Sequence, residues 1–202
     1  MNELKTTGNK TLEFYDRHTD DFISGTLEAD MEETRTRFAS YLPDHALILD
    51  FGCGSGRDTK AFLQAGYQVE ATDGSEEICI KASEYTGIHV QRMLFSELCE
   101  INKYDGIWAC ASILHLPREE LRGTLQKIET ALKPGGVLYT SFKYGTFEGI
   151  RDGRYFTDFT EEKLDAFWKE ATSMQIAESW ITEDVRSDRK GKQWINLISR
   201  RV

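Results

Sequence analysis

Three glycines at alternate positions, Gly52, Gly54 and Gly56, follow an acid, Asp50, that ends the apolar run ALIL. Glycine in such a cluster lets the backbone take positive φ and come close to a ligand. Amide N–H groups at the helix start just beyond would hold a small polar ligand against bare main chain. A second acid, Asp73, lies 17 positions past Gly56. A carboxylate at about that distance from a glycine turn suits the two hydroxyls of a ribose, and the same slot also favours a helix-capping aspartate. Farther on, His115 follows a short apolar run. It is expected to line a substrate side, where an imidazole titrating near neutrality removes a proton, or to pack beside the helix that Pro117 opens. The stretch 143–159 gathers Lys143, Tyr144, Arg151, Arg154 and Tyr155. These cations and phenols suit an anionic or oxygen-rich substrate, or else form a solvated surface loop.

These residues must be positioned by alternating strands and helices. Residues 46–50 read as a buried strand, and TKAFLQAG opens a helical pattern directly after the glycines. Residues 67–72 form a second strand with Asp73 at its end, and a helix is expected over 75–85. Strands follow at 88–93, 104–110 and 136–142, with a helix over 118–132 whose Leu121, Leu125, Ile128 and Leu132 share one face. A helix over 160–169 and two strands, 175–182 and 193–199, close the chain. Before the first strand, 29–42 reads as a helix stopped by Pro43, and 11–24 is only partly helical in spacing. The alternation predicts an α/β three-layer sandwich around a seven-stranded, mostly parallel sheet with an antiparallel last strand. Ligands bind at the carboxyl ends of strands in such sheets, so Ala109 at the end of the fourth strand is expected to face one.

Composition narrows the classes. The 202 residues suit one domain with a substantial core, residues 1–43 covering residues 44–202, with 143–159 as an active-site loop. A formal net charge of −9 disfavours a nucleic-acid partner. No apolar run reaches the roughly 20 residues of a membrane span, and the opening MNELKTTGNK lacks the apolar core of a secretory signal. A cytoplasmic protein, monomer or homodimer, is expected. The four cysteines form no C-x-x-C pair, so no metal site is expected. The glycine spacing is not that of a dinucleotide turn, because Arg57 stands where that pattern has its third glycine. No Gly-Lys-Ser/Thr follows, which excludes a Walker loop.

The string Asp-x-Gly-x-Gly-x-Gly after a strand resembles motif I of the S-adenosylmethionine (AdoMet) methyltransferases with a Rossmann-like fold. The string LKPGGVL before the fifth strand is frequent in the same family. The longer string GCGSGRDTKAFLQAGYQVEATDGS is similar to a small bacterial branch of tellurite-resistance and small-molecule methyltransferases. The resemblance implies AdoMet as cofactor and direct in-line methyl transfer to a small-molecule acceptor. It implies that Asp50 meets the amino group of the methionine part, with Gly52, Gly54 and Gly56 cradling that part, and that Asp73 and Gly74 meet the ribose. Adenine falls to Leu94 and Phe95, because the acid usual after the third strand is missing, with Glu97 nearby. Tyr15, by likeness to an N-terminal segment of many small-molecule methyltransferases, is a lid residue. It joins His115, Lys143 and Tyr144 as the groups that would orient the nucleophile, and Arg151, Arg154, Tyr155 and Arg186 as substrate contacts, with Trp194 beside them. Two rivals remain: a non-catalytic AdoMet-binding regulator, and an NAD(P)-dependent oxidoreductase.

Overall fold

In a computed structural model, residues 2–186 and 189–202 are described, with side chains from residue 10 onward. Seven strands form one sheet in the order β3-β2-β1-β4-β5-β9-β8. They are β1 (Leu47–Phe51), β2 (Gln68–Asp73), β3 (Val90–Arg92), β4 (Tyr104–Ala109), β5 (Leu132–Lys143), β8 (Gln175–Glu183) and β9 (Gln193–Arg200). The first five run parallel, and β9 enters antiparallel between β5 and β8. Strand order reverses between β1 and β4, which places the ligand crevice of a doubly wound sheet at their carboxyl ends.

Each central strand divides its side chains between two apolar layers. Leu49, Phe51, Ile107 and Leu138 face α6 (Arg118–Ala131) and α7 (Glu161–Ala171). Ile48, Trp108, Val137 and Tyr139 face the other way, toward Phe38 of α3 (Glu32–Ala39) and Phe62 of α4 (Arg57–Gln64). The alternation is the two-residue period of a strand buried on both sides, which is why ALIL carries no polar break. Trp108 stacks on Tyr139 at 4.0 Å, with Phe38 edge-on to the indole at 5.2 Å. Asp105 acts as structural glue at the opposite end of the sheet. Its Oδ2 accepts the Leu47 N–H at 2.9 Å, and Lys133 Nζ reaches both oxygens at 2.8 Å. Asp105→Ala should cost about 1–3 kcal/mol, nearly all from the stranded Leu47 N–H, since a part-exposed Lys pair adds little. Urea unfolding measures it, and a loss equal to that of Lys133→Ala would put the effect in the ion pair instead.

Three elements depart from the sequence reading. Residues 11–24 belong to two full helices, α1 (Asn2–Arg17) and α2 (Thr19–Thr26), packed across the top of the sheet. Helix α3 is shorter than 29–42. Asp30 caps its start by accepting the Glu32 N–H at 2.9 Å, and i→i+3 bonds at Tyr41 and Leu42 tighten its end ahead of Pro43. The third departure lies in 143–159, which is largely a hairpin of β6 (Glu148–Arg151) and β7 (Arg154–Thr157). Its turn is Asp152-Gly153, both at positive φ (52° and 78°). That is the two-residue Asp-Gly turn whose twist matches a hairpin. Between α4 and β3, α5 (Glu76–Thr86) is capped by Ser75, whose Oγ accepts the Ile78 N–H. No helix among the described residues is long and apolar enough to cross a membrane.

Candidate active site

A cavity of about 710 Å³ opens at the switch point and runs from the glycine turn to β9. Its floor begins where β1 ends. Gly52, Gly54 and Gly56 have φ of 82°, 55° and 77°, so the chain turns through three left-handed residues before α4 starts. A Cβ on Gly52 would lie 2.6 Å from Ser112 Cβ, and one on Gly54 3.1 Å from the Phe22 ring. Gly52 and Gly54 therefore present bare backbone to the cavity. Gly56 turns away from it, and a Cβ there would strike Thr86 of α5 at 2.6 Å. Its work is to let α4 start beside α5.

Two acids project from the strand ends. Asp50 is buried and accepts the Thr59 hydroxyl at 2.6 Å. Burial, and then the neighbouring Asp58 carboxylate, push Asp50 up to about 7. For Asp58 burial acts in the same direction, but Arg57 and Arg35 outweigh it and hold the group below its usual range. Arg57 and Arg35 donate to Asp58 at 2.6–2.9 Å, and Trp108 Nε1 donates at 3.0 Å. Arg57, the residue that breaks the dinucleotide pattern, is thus tied down by its neighbour. Asp73 accepts the Gly54 N–H at 3.1 Å and the Ser75 N–H at 3.0 Å. It ties the glycine turn to the start of α5 and lines the cavity, while the helix cap expected of it falls to Ser75. The Gly54 and Ser75 N–H groups each take one of its oxygens, and the Gly74 N–H also acts on the carboxylate. Burial raises its pKa.

The adjoining wall consists of Gly74, Leu94 and Phe95. Phe95 packs edge-on against Phe51 at 4.8 Å, and Glu97 is engaged in capping the Leu94 N–H at 2.7 Å. Ala109 is fully buried in the core, and the residues after it, Cys110, Ala111 and Ser112, reach the cavity. Ala111 sits at φ 49°, an uncommon conformation for alanine, held by its N–H donating to Ser141 Oγ at 3.0 Å.

The far half of the cavity is roofed by α1 and α2. Leu12 lies over Gly74 and Phe22 over Gly54. Tyr15 and His115 meet at 2.8 Å between Oη and Nε2. His115 Nδ1 lies 2.6 Å from the Tyr155 carbonyl oxygen, which only accepts, so Nδ1 carries the proton. Nε2 is then the acceptor, and Tyr15 donates to it. Burial holds the ring down at about 3, with the Arg154 and Lys143 charges acting in the same direction. His115 is therefore a neutral acceptor around pH 7, where the sequence suggested a ring titrating near neutrality. Lys143 and Arg154 line the same end. Burial lowers Lys143 to about 8, so it is still a cation at pH 7. Arg186 and Trp194 line it too, both donating to Asp184, at 2.7 and 3.1 Å.

Tyr144, Arg151 and the Tyr155 side chain do not line this cavity. Tyr144 is exposed, Arg151 is paired with Asp158 at 3.1 Å, and the Tyr155 hydroxyl donates to Glu148 at 3.2 Å. Period-two alternation in β7 accounts for this. Arg154 and Phe156 face inward, and Tyr155 between them faces out. Leu12, Phe22, Ser112 and Phe156 were not singled out in the sequence. The Asp-Gly turn would have given Phe156, because it fixes which residues of β7 share a face with Arg154.

A doubly wound sheet with an inverted β9 and a glycine turn at its switch point defines the Rossmann-like methyltransferase fold. Residues 48–136 match the family described as a methyltransferase domain. Among its relatives, N-terminal Xaa-Pro-Lys N-methyltransferase 1-A of Xenopus laevis is 33% identical over 102 residues, covering 46% of each chain. The ubiquinone biosynthesis O-methyltransferase of Haemophilus ducreyi is 30% identical over 105 residues, 46% of this chain and 44% of the relative. The chain thus spans about half the length of the curated relatives it matches. The fold is shared with the Burkholderia thailandensis 1,6-didemethyltoxoflavin-N1-methyltransferase, solved with its 1,6-didemethyltoxoflavin and S-adenosylhomocysteine bound. That structure has a TM-score of 0.82 at 22% identity, over 96% of this chain and 88% of the other.

Proposed function

We propose that this chain transfers the methyl group of AdoMet to a small-molecule acceptor by direct in-line displacement. The observation that carries this reading is the continuity of the cavity. One space joins a glycine turn with bare backbone and two strand-end acids to an aromatic, cation-lined end under α1 and α2. The residues present fit the cofactor. Gly52 and Gly54 would leave room for its methionine part, Asp50 would meet its amino group, Asp73 would accept from its ribose hydroxyls, and Leu94 and Phe95 would hold adenine between apolar side chains. When bound, AdoMet supplies an electrophilic methyl group on a sulfonium.

The chain's own contribution is position and exclusion of water. Phe22 and Leu12 close the roof, and Tyr15 fixes the distance between that roof and His115. Neither Tyr15, whose pKa burial raises, nor the neutral His115 takes up a proton readily at pH 7. The reading is therefore of a site that orients an acceptor and does not deprotonate it. A peptide amino terminus, the acceptor in the name of the Xenopus relative, is a cation and suits Lys143 and Arg154 poorly.

Calorimetric titration with S-adenosylhomocysteine, with NADH as control, tests the cofactor assignment. Micromolar binding of the first alone is expected, and binding of NADH alone would replace the reading with a dinucleotide enzyme. Transfer of label from methyl-labelled AdoMet to a panel of small acceptors then separates an enzyme from a regulator. Asp73→Ala should weaken S-adenosylhomocysteine by about 1–3 kcal/mol, or roughly fivefold to 150-fold. An unchanged dissociation constant in a folded variant would leave Asp73 as a tie within the turn only.

A further inference from the structure

Among the described residues, Arg154 is a cation with no anion opposite it. Its guanidinium packs 4.6 Å from the ring of Phe14, 5.7 Å from that of Tyr15 and 5.3 Å from that of Phe156. Nε is buried and has no hydrogen-bond partner. The guanidinium's bond to Tyr15, from Nη1 to the hydroxyl oxygen, is long at 3.4 Å. No carboxylate among the described residues lies within ion-pair distance of Arg154. Lys143 is in the same position: it lines the cavity, lies 5.6 Å from the Phe156 ring and 4.9 Å from the Trp194 ring, and has no ion pair among the described residues. Of the other cations near this end, Arg151 pairs with Asp158 and Arg186 with Asp184, while Arg189 also lines the cavity.

A half-buried guanidinium whose Nε is buried without a partner, and which faces no anion, is costly to hold in a folded protein. Two cations against one aromatic ring, both opening on the same cavity, make a site for negative charge. The neighbouring hydroxyl adds a direction. Because His115 Nδ1 donates to a carbonyl, Tyr15 must give its proton to Nε2. The Tyr15 oxygen then offers the cavity lone pairs only, so it accepts a hydrogen bond beside the place where Arg154 donates.

Resting on the methyltransferase reading above, we propose that the acceptor is a small planar organic anion. Its delocalised charge, on a carboxylate, enolate or phenolate, lies against Arg154 and Lys143, and an adjacent O–H or N–H donates to Tyr15. Phe156 and Trp194 provide the flat apolar surfaces on either side of the charge. Because the acceptor arrives ionised, no side chain has to remove a proton from it.

Matched pairs of acids and neutral amides test this with the chain saturated in S-adenosylhomocysteine. The probes are salicylate against salicylamide and 1-hydroxy-2-naphthoate against its amide, titrated by calorimetry. Each acid carries a hydroxyl beside its carboxylate. The acids should bind about tenfold to a hundredfold more tightly than their amides, the range for a charge-assisted hydrogen bond. Arg154→Gln should remove that preference while S-adenosylhomocysteine still binds, which also shows that the variant is folded. Lys143→Gln should reduce the preference by a smaller factor. Amides binding as tightly as acids, acids binding the Arg154→Gln variant unchanged, or no binding of either acid would each overturn the proposal. If S-adenosylhomocysteine itself fails to bind, the methyltransferase reading falls. The acid–amide comparison on the free protein then still decides the anion site.

Discussion

Gly54→Val is expected to abolish measurable S-adenosylhomocysteine binding while leaving the chain folded. At φ 55° a β-branched residue costs about 1–2 kcal/mol, because its side chain meets the following carbonyl. Its Cβ would lie 3.1 Å from two atoms of the Phe22 ring, and its two methyl groups reach farther into the same space. Displacing a packed ring adds about 1–3 kcal/mol. The turn relieves both by opening, and opening pulls the Gly54 N–H away from Asp73. The ligand then loses its cradle and its carboxylate together, for a loss of roughly a hundredfold or more in affinity. Gly25→Ala is the control. It lies within α2, has nothing within 4 Å of an added Cβ, and should bind S-adenosylhomocysteine normally while gaining helix stability. Unchanged binding by Gly54→Val would mean that the ligand sits elsewhere than on this turn.

The core of the fold was legible because its signals are local. An apolar run ending in an acid, glycines at alternate positions and a helix pattern directly after them fix β1, the turn and α4 with no knowledge of the rest. Repeated strand–helix alternation gives a mostly parallel sheet, but it does not fix the order in which the strands lie. The roof was less legible. Leu12, Tyr15 and Phe22 occupy one side of two short helices whose partners, Gly74, His115 and Gly54, lie far away in the chain, so their spacing alone does not show what they cover. The substrate end was legible in composition and not in direction. Lys143, Arg151, Arg154 and Tyr155 form a polar cluster in sequence, yet the pleat of β7 sends only Arg154 of its two candidates inward, and Asp158 pairs with Arg151. The electrostatics were least legible. Whether a His near a strand end titrates near neutrality depends on burial and on which atom faces each nitrogen. In His115 a carbonyl takes one nitrogen and a buried hydroxyl the other.

The pH dependence of cofactor binding should fall on Asp50. With its pKa at about 7, Asp50 is half protonated in the free protein near neutrality. A ligand ammonium group favours its ionised form, so binding below pH 7 must expel a proton. Affinity for S-adenosylhomocysteine is then expected to level off above about pH 8 and to fall by about tenfold for each pH unit below 7. Calorimetry in buffers of different ionisation enthalpy should show release of nearly one proton at pH 6. His115, held at about 3, is silent in this range. The free protein should show the opposite trend. Asp50 has its folded pKa raised above the ordinary value of 3.8, so the folded chain holds a proton that the unfolded chain has lost. Stability from this group is complete below about pH 4 and is lost as pH rises through 7, while ligand affinity rises over the same range. Asp50→Asn keeps an acceptor for Thr59 and should flatten both curves. If the slope of affinity against pH survives in Asp50→Asn, the proton belongs to another group, and Asp50 is then a buried partner of Thr59 and not the acid that meets the ammonium.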